Sequence, residues 1–281
     1  MKHSRVISML VNDSSDIIYF DNTPISIAEQ VSLGFPRNMR YYARNVVKID
    51  GKYYYAKQCT TSTLINELLG TYYCQLIGLD VVDYRIGKTN ADLSYFYALS
   101  EIFYKDDYSY TTVEDVFAGL RPDDTKAFSR GFGSIYVCDT SVLSLINSHQ
   151  LVDNALKMTA VDLKMGQVDR YNYNVILRDN GIEKELEKVF DFGWSYAVGK
   201  DDKKSCYYNP FLVVKRNTIS LWGLATRYPQ FRESAAILSD APLFDALKDI
   251  EKRFNIKIED RDIPGYIEMD KSYSKYLRKV R

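Results

Sequence analysis

Two stretches decide how the rest of the chain is read: Gly166-Gln167-Val168-Asp169-Arg170-Tyr171-Asn172-Tyr173-Asn174-Val175-Ile176-Leu177 and, a short way on, Phe190-Asp191-Phe192-Gly193. The first sets a carboxylate, Asp169, and a carboxamide, Asn174, on one tight loop ahead of an apolar strand. The second sets another carboxylate, Asp191, at the end of a second apolar run and just before a glycine. A carboxylate able to take a hydroxyl's proton, with a carboxamide and a second carboxylate able to hold hard cations, is the equipment of phosphoryl transfer.

Upstream of that loop the pattern is a small sheet with one helix. Asp50-Gly51 between Val46–Ile49 and Lys52–Gln58 marks a hairpin, and strand alternation puts Tyr55 and Lys57 on one face of the returning strand. A helix follows over Leu64–Gly78, with Leu64, Leu68, Tyr72 and Leu76 as its apolar stripe and Gly78 as its stop. Glu67, Gly70, Thr71 and Cys74 share a neighbouring face that is small apart from the glutamate, so that carboxylate can approach another element closely. Strands are predicted over Val81–Gly87 and Leu93–Phe103, and a short helix over Ser26–Leu33 capped by Ser26 with Glu29.

Beyond residues 104–108 the texture turns helical. Thr111 and Glu114 read as a capping box for a helix over Val113–Leu120, followed by helices over Phe132–Ser148 and Leu151–Met165. Asn174–Leu177 and Ile182–Phe190 read as strands joined by the turn Asp179-Asn180-Gly181. Val198–Asn209 reads as an exposed loop, and from Pro210 onward the pattern is helical, Arg216–Thr226 and Ala241–Phe254 most clearly. The expected architecture is α+β and bilobal: residues 1–105 an antiparallel sheet with one helix, residues 106–281 mainly helical and carrying both Asp169 and Asp191.

Composition narrows the function classes. The 37 basic residues balance 37 acidic ones without a basic block, which argues against a dedicated nucleic-acid or anionic-membrane surface. Cys59, Cys74, Cys138 and Cys206 are scattered and only His3 and His149 accompany them, so a zinc site is not expected and free thiols in a reducing compartment are. The apolar run Val6–Val11 reads as a first strand rather than a secretory signal, and no apolar stretch approaches the roughly 20 residues a membrane span needs. A soluble, cytoplasmic protein is the expectation.

Taken in order, Lys57, Glu67, Asp169, Asn174 and Asp191 resemble the protein-kinase-like fold, with Ala56-Lys57 as the phosphate lysine and Asp191-Phe192-Gly193 as the metal-binding tripeptide. In Asp169-Arg170-Tyr171-Asn172-Tyr173-Asn174 the aspartate comes first. This resembles the Asp-Arg-His-x-x-Asn loop shared by phosphatidylinositol 3/4-kinases and bacterial HipA-like serine/threonine kinases. The segment Asn66-Glu67-Leu68-Leu69, leading on to Leu76-Ile77-Gly78-Leu79-Asp80-Val81, is similar to the HipA-like helix and its exit, so the resemblance spans residues of about 35 to 215. A chain of this length suits a compact HipA-like kinase better than a lipid kinase.

The resemblance implies ATP and Mg²⁺ as cofactors. Asp169 is then the base, Lys57 the phosphate ligand positioned by Glu67, and Asn174 and Asp191 the metal ligands. Nucleotide contacts follow by position: Glu101 and Phe103 in the hinge Ser100-Glu101-Ile102-Phe103, and Arg37, Asn38, Arg40 or Arg44 in a phosphate-covering loop over Gly34–Arg44. That loop holds a single glycine, and Tyr171 stands where the family has histidine. The implied acceptor is a serine or threonine of a protein, with no direct nucleic-acid contact and no stable membrane association. An antitoxin or other regulatory partner, and a toxin-like or delivered-effector role, follow from the same likeness.

Other readings stand beside this one. The same chemistry serves a phosphoinositide or small-molecule kinase, although Asp201 and Asp202 offset Lys200, Lys203 and Lys204. A non-catalytic nucleotide-binding module, or transfer of a different part of ATP, fits the same residues. Singly, Lys57 and Glu67 read as surface residues, Asp191-Phe192-Gly193 as a chance turn, and Asp169-Arg170 as an ion-paired loop with Arg170 serving packing alone.

Overall fold

The computed structural model describes residues 9–11, 15–33, 45–102, 107–112, 149–167, 170, 174–182, 184–193, 195–196, 225–226, 228–259 and 263–279. Arg37, Asn38, Arg40, Arg44, Phe103, Asp169 and Tyr171 lie outside the described residues. So do Cys138 and Cys206, the predicted helices over 113–120 and 132–148, the predicted loop over 198–209 and most of the helix over 216–226.

The described chain is a mixed α/β structure. Strands β1 (Met9–Leu10), β2 (Ile17–Phe20), helix α1 (Ile27–Ser32), β3 (Val46–Ile49), β4 (Lys52–Cys59), α2 (Thr61–Leu76), β5 (Tyr84–Thr89), β6 (Phe96–Glu101) and β7 (Ser109–Thr112) come first. They are followed by α3 (His149–Met165), β8 (Ile176–Asp179), β9 (Lys184–Leu186), α4 (Pro229–Asp240), α5 (Leu243–Phe254), β10 (Lys257–Ile258) and α6 (Ile263–Arg278).

The main sheet has five strands in the order β2-β5-β6-β4-β3. The hairpin at one edge of it, β3-β4, is the predicted one: Ile49 pairs with Lys52, and Asp50 and Gly51 both adopt positive φ, 48° and 79°, as a type I′ turn requires. The sheet is not wholly antiparallel as expected. β2 runs parallel to β5, which a long connection through α1, the hairpin and α2 allows.

Alternation along β4 sorts its side chains between two faces. Tyr54 and Ala56 face a small outer core with Phe20, Val47, Ile49, Tyr97 and Leu99, and Tyr55 and Lys57 face the other way. On that inner side α2 packs against the sheet and then against α3 and α5, within one hydrophobic core that runs on through α4 and α6.

Helix α2 starts at its cap, where the Thr60 hydroxyl accepts the Thr63 N–H at 3.2 Å. Its predicted stripe is only partly right. Leu64 and Leu68 are buried, but so are Ile65, Leu69 and Tyr73, while Leu76 is 42% exposed. A four-residue repeat drifts round a helix of 3.6 residues per turn, so the buried face follows i, i+1 and i+4 instead.

Two further expectations are corrected. Thr111 caps no helix: it pairs with Leu177 in β7, which joins β8 and β9 in a three-stranded antiparallel sheet. Tyr110 and the two threonines suit a strand, and an open partner edge outweighs a local capping signal. Strand β5 begins at Tyr84 rather than Val81, because Val81 instead bridges Val189, next to the tripeptide.

Helix α3 is buried along most of its described length, as a central helix must be, and its fully buried polar side chains, Thr159, Asp162 and Lys164, each have a partner. Thr159 donates back to Ala155 O at 2.8 Å. Lys164 Nζ, wholly buried, reaches Asp270 Oδ1 at 2.8 Å, Ser274 Oγ at 2.8 Å and Ala241 O at 2.9 Å. Burial pushes that ammonium below the usual lysine range, against the pull of Asp270. Beyond α3, Gly166 turns the chain at φ 58°, with a Cβ there meeting the Tyr273 ring at 2.2 Å, so only glycine fits where the chain leaves the helix.

Candidate active site

Three side chains predicted from distant parts of the sequence meet. Lys57, at the inner face of β4, places Nζ 2.6 Å from Glu67 Oε1 on α2, and the same ammonium donates to Asp191 Oδ1. Burial by itself would lower the lysine's pKa, but the Glu67 and Asp191 carboxylates outweigh it and hold the ammonium well above its ordinary range. Lys57 is therefore a fixed positive charge in this setting.

Glu67 is wholly buried and its oxygens are fully employed. Oε2 accepts the Phe192 N–H at 2.8 Å, and Oε1 accepts the Gly193 N–H at 3.1 Å as well as Lys57. One glutamate thus orients the lysine and grips the backbone of the tripeptide. The small face of α2 performs as expected: Gly70 lies against the Phe192 ring, where a Cβ would fall 2.2 Å from ring carbons. Gly70→Ala must push Phe192 away. It is expected to cost about 1–3 kcal/mol in urea unfolding and to weaken any ligand binding that depends on Asp191.

Asp191 holds φ 64°, a left-handed conformation that aspartate tolerates at some cost. Its polar groups are engaged. The N–H donates to the Tyr84 hydroxyl at 3.4 Å, the carbonyl accepts from Gln167 Nε2, and the carboxylate takes Lys57. Burial raises the Tyr84 phenol well above its usual range, so it stays a neutral hydroxyl beside the carboxylates.

Arg170, next to Asp169 in sequence, is 1% exposed and packs as an internal brace. It pairs with Asp162 of α3 at 3.0 Å, donates to Phe190 O, and lays its guanidinium 4.7 Å from the Phe192 ring centroid. Desolvation disfavours the charge, but Asp162 more than compensates and raises the pKa further. Arg170 is therefore more than an isolated ion-paired loop residue: it ties the loop to the tripeptide. Asn174 is buried at the start of β8, two residues before Ile176.

Between the sheet and the tripeptide lies a cavity of about 220 Å³. Val82, Ala98, Ile176 and Phe190 give it apolar walls, Tyr55 and Tyr84 contribute rings, and Asn45 and Ser100 contribute polar groups. Lys57 and Asp191 also line it, so an apolar chamber opens beside a fixed cation and a carboxylate. A mostly apolar pocket with a few convergent polar groups is the usual form of a small-ligand site. Glu101 does not supply its side chain: the carboxylate sits on the outer face, 3.1 Å from Lys52. Register explains it, since Glu101 lies opposite Tyr54 whereas Ser100, opposite Tyr55, faces the cavity.

Donor chemistry suits a hard cation. Asp191 and Asn174 offer oxygens, and among the described residues no cluster of three or more His, Cys, Asp or Glu forms a cage. Mg²⁺ is commonly held by one or two protein oxygens, the rest of its shell coming from phosphates and water. Cys59, near Lys57, is no rival nucleophile, because burial first and Glu67 second push its thiol up to about 12.

The sequence does not single out the residues that support the site: Tyr84 and Gln167, which hold the Asp191 backbone, and Asp162, which pairs with Arg170. Asp162 had a signal, a lone carboxylate in the apolar run Ala160-Val161-Asp162-Leu163. Tyr84 had none.

No protein-family profile matches the chain, and no curated protein matches it. Among solved structures it is similar to the Helicobacter pylori proinflammatory kinase CtkA, at 14% identity and TM-score 0.47, over 83% of this chain and 94% of that one. It is also similar to HipA of Shewanella oneidensis, solved with HipB and operator DNA. That match has 12% identity and TM-score 0.47, and covers 76% of this chain and 55% of that one. At this level of likeness, any role for Lys57, Glu67 and Asp191 rests on their own geometry.

Proposed function

We propose that the protein is an ATP- and Mg²⁺-dependent phosphotransferase of bilobal, HipA-like type, acting on a serine or threonine hydroxyl of a protein. The observation that carries this reading is Lys57 on the sheet, bound at once by Glu67 of α2 and by Asp191, at the edge of an apolar cavity. In this reading the cavity takes the adenine, with Ser100 and Asn45 as its polar contacts, and Lys57 takes the phosphates. Asp191 and Asn174 hold Mg²⁺, which supplies charge neutralisation at the transferring phosphoryl group. Asp169, outside the described residues, is assigned from the sequence as the group that orients the acceptor hydroxyl and takes its proton. Its neighbours Gln167 and Arg170 grip the carbonyls of Asp191 and Phe190, which couples the loop to the metal-binding residue.

Catalysis of this kind is positioning and electrostatics. The acceptor class, and a regulatory partner of antitoxin type in the cytoplasm or in a delivery pathway, follow from the sequence resemblance. Among the described residues no helix is long and apolar enough to cross a membrane.

The test is direct. Purified protein with Mg²⁺ and γ-labelled ATP, with and without a generic protein acceptor, is expected to incorporate label. Asp169→Ala and Asp191→Ala should each lose about a hundredfold to a thousandfold or more, with thermal unfolding within a few degrees of wild type. Full labelling by a well-folded Asp191→Ala protein sinks the assignment.

A further inference from the structure

Among the described residues, none of helix α6 lines the cavity, yet the helix is hydrogen-bonded to residues that shape the site. Tyr266, on its first turns and 4% exposed, donates its hydroxyl to Asn66 Oδ1 at 3.0 Å across 200 positions of sequence. Asn66 is 2% exposed, and its amide nitrogen donates to Gly193 O at 3.0 Å and to Ser195 O. Both ends of that carboxamide are therefore engaged, and its orientation is set: turned over, it would offer an oxygen to two carbonyls. Glu67, the next residue, takes the N–H groups of Phe192 and Gly193. Adjacent positions of α2 thus grip the same turn from its donor and its acceptor sides.

Helix α6 reaches that turn a second way. The Tyr196 hydroxyl donates to Asp270 Oδ1 at 3.2 Å, and Asp270 pairs with Lys164 at the end of α3. The rings of Tyr266 and Tyr273 lie 5.3 and 6.1 Å from that of Tyr196. A donor on α6 is consequently what holds Asn66 in the one orientation that clamps the residues after Asp191.

We propose that Tyr266 and Asn66 are positioning residues: the Tyr266 hydroxyl orients the Asn66 amide, and Asn66 sets the Gly193 turn and with it Asp191. This deepens the phosphotransferase reading and rests on it for the role of Asp191. Neither residue lines the cavity, so the effect must travel through the turn.

Tyr266→Phe removes one oxygen and keeps the ring. In the ligand-free full chain, the amides of residues 190–193 are expected to exchange hydrogen about five- to tenfold faster, the scale of one lost buried hydrogen bond. The Mg²⁺ concentration that half-saturates ATP binding should rise by a similar factor, while metal-free ATP binding is unchanged. Leu277→Ala, a buried α6 residue away from the relay, is the control: it should lower the unfolding temperature at least as much and move neither readout. Adding Tyr266→Phe to Asn66→Ala should change nothing further, because the two act as one unit. Unchanged exchange in Tyr266→Phe, or the same change in Leu277→Ala, overturns the inference by itself. Faster exchange in a protein whose wild type binds no Mg²⁺-ATP overturns the functional reading and the metal-binding role of Asp191, while leaving the hydrogen-bond relay in place.

Discussion

Replacing Arg170 with methionine is expected to cost about 3–5 kcal/mol of folding stability, the range for breaking a buried ion pair from one side. Arg170 and Asp162 are each about 1% exposed at the side chain, so the carboxylate left behind loses the Arg170 guanidinium in a buried site. Phe190 O loses its donor as well, and the Phe192 ring loses the guanidinium stacked on it. Urea unfolding measures the loss. A double replacement, Arg170→Met with Asp162→Leu, should recover much of it, because an apolar pair of similar volume removes the stranded charge. Recovery should stay incomplete, since the Phe190 carbonyl still lacks a partner. A loss below about 1 kcal/mol for Arg170→Met would mean that the pair is solvated or dispensable, contrary to its burial.

Glu67→Gln is expected to be the most damaging isosteric change in the site. The carboxylate accepts three hydrogen bonds, from Lys57, Phe192 N–H and Gly193 N–H, and donates none. A carboxamide must turn an NH₂ group toward at least one of these donors, whichever way it is placed. Lys57 keeps Asp191 and is 35% exposed, so the lost ion pair is partly screened, and a stability cost of about 2 kcal/mol is expected. The functional cost should be larger. Labelling from ATP should fall by about a hundredfold or more, because the residue that orients Lys57 also holds the turn carrying Asp191. Urea midpoints and transfer rates on the same preparation separate the two effects. A Glu67→Gln protein with wild-type transfer would remove Glu67 from any positioning role.

Much of the site's inner layer is legible in the amino-acid sequence. The Asp50-Gly51 hairpin and strand alternation put Lys57 on the face away from Ala56, and the small residues around Glu67 mark a helix face built for close approach. Both are short-range rules, and both outcomes appear: Lys57 lines the cavity, and Gly70 lies against Phe192. The same rules misjudge Thr111, whose capping signal yields to pairing with Leu177, and Leu76, which a strict four-residue repeat carries round to solvent. Position along the chain does not say which side chain of the segment Ser100–Ile102 enters the cavity: Ser100 lines it while the Glu101 carboxylate meets Lys52, because one step of register decides.

By itself, then, the sequence determined the local elements and the residue types of the site, since turn chemistry and periodicity depend on neighbours a few positions away. Tertiary structure alone decided the parallel pairing of β2 with β5, the burial of Arg170 against Asp162, and the reach of Tyr266 to Asn66. Those contacts join segments up to 200 positions apart. Nothing in the local chemistry of a tyrosine or an asparagine names its partner at that distance: the partner is chosen when helices with compatible faces pack and every buried donor must find an acceptor.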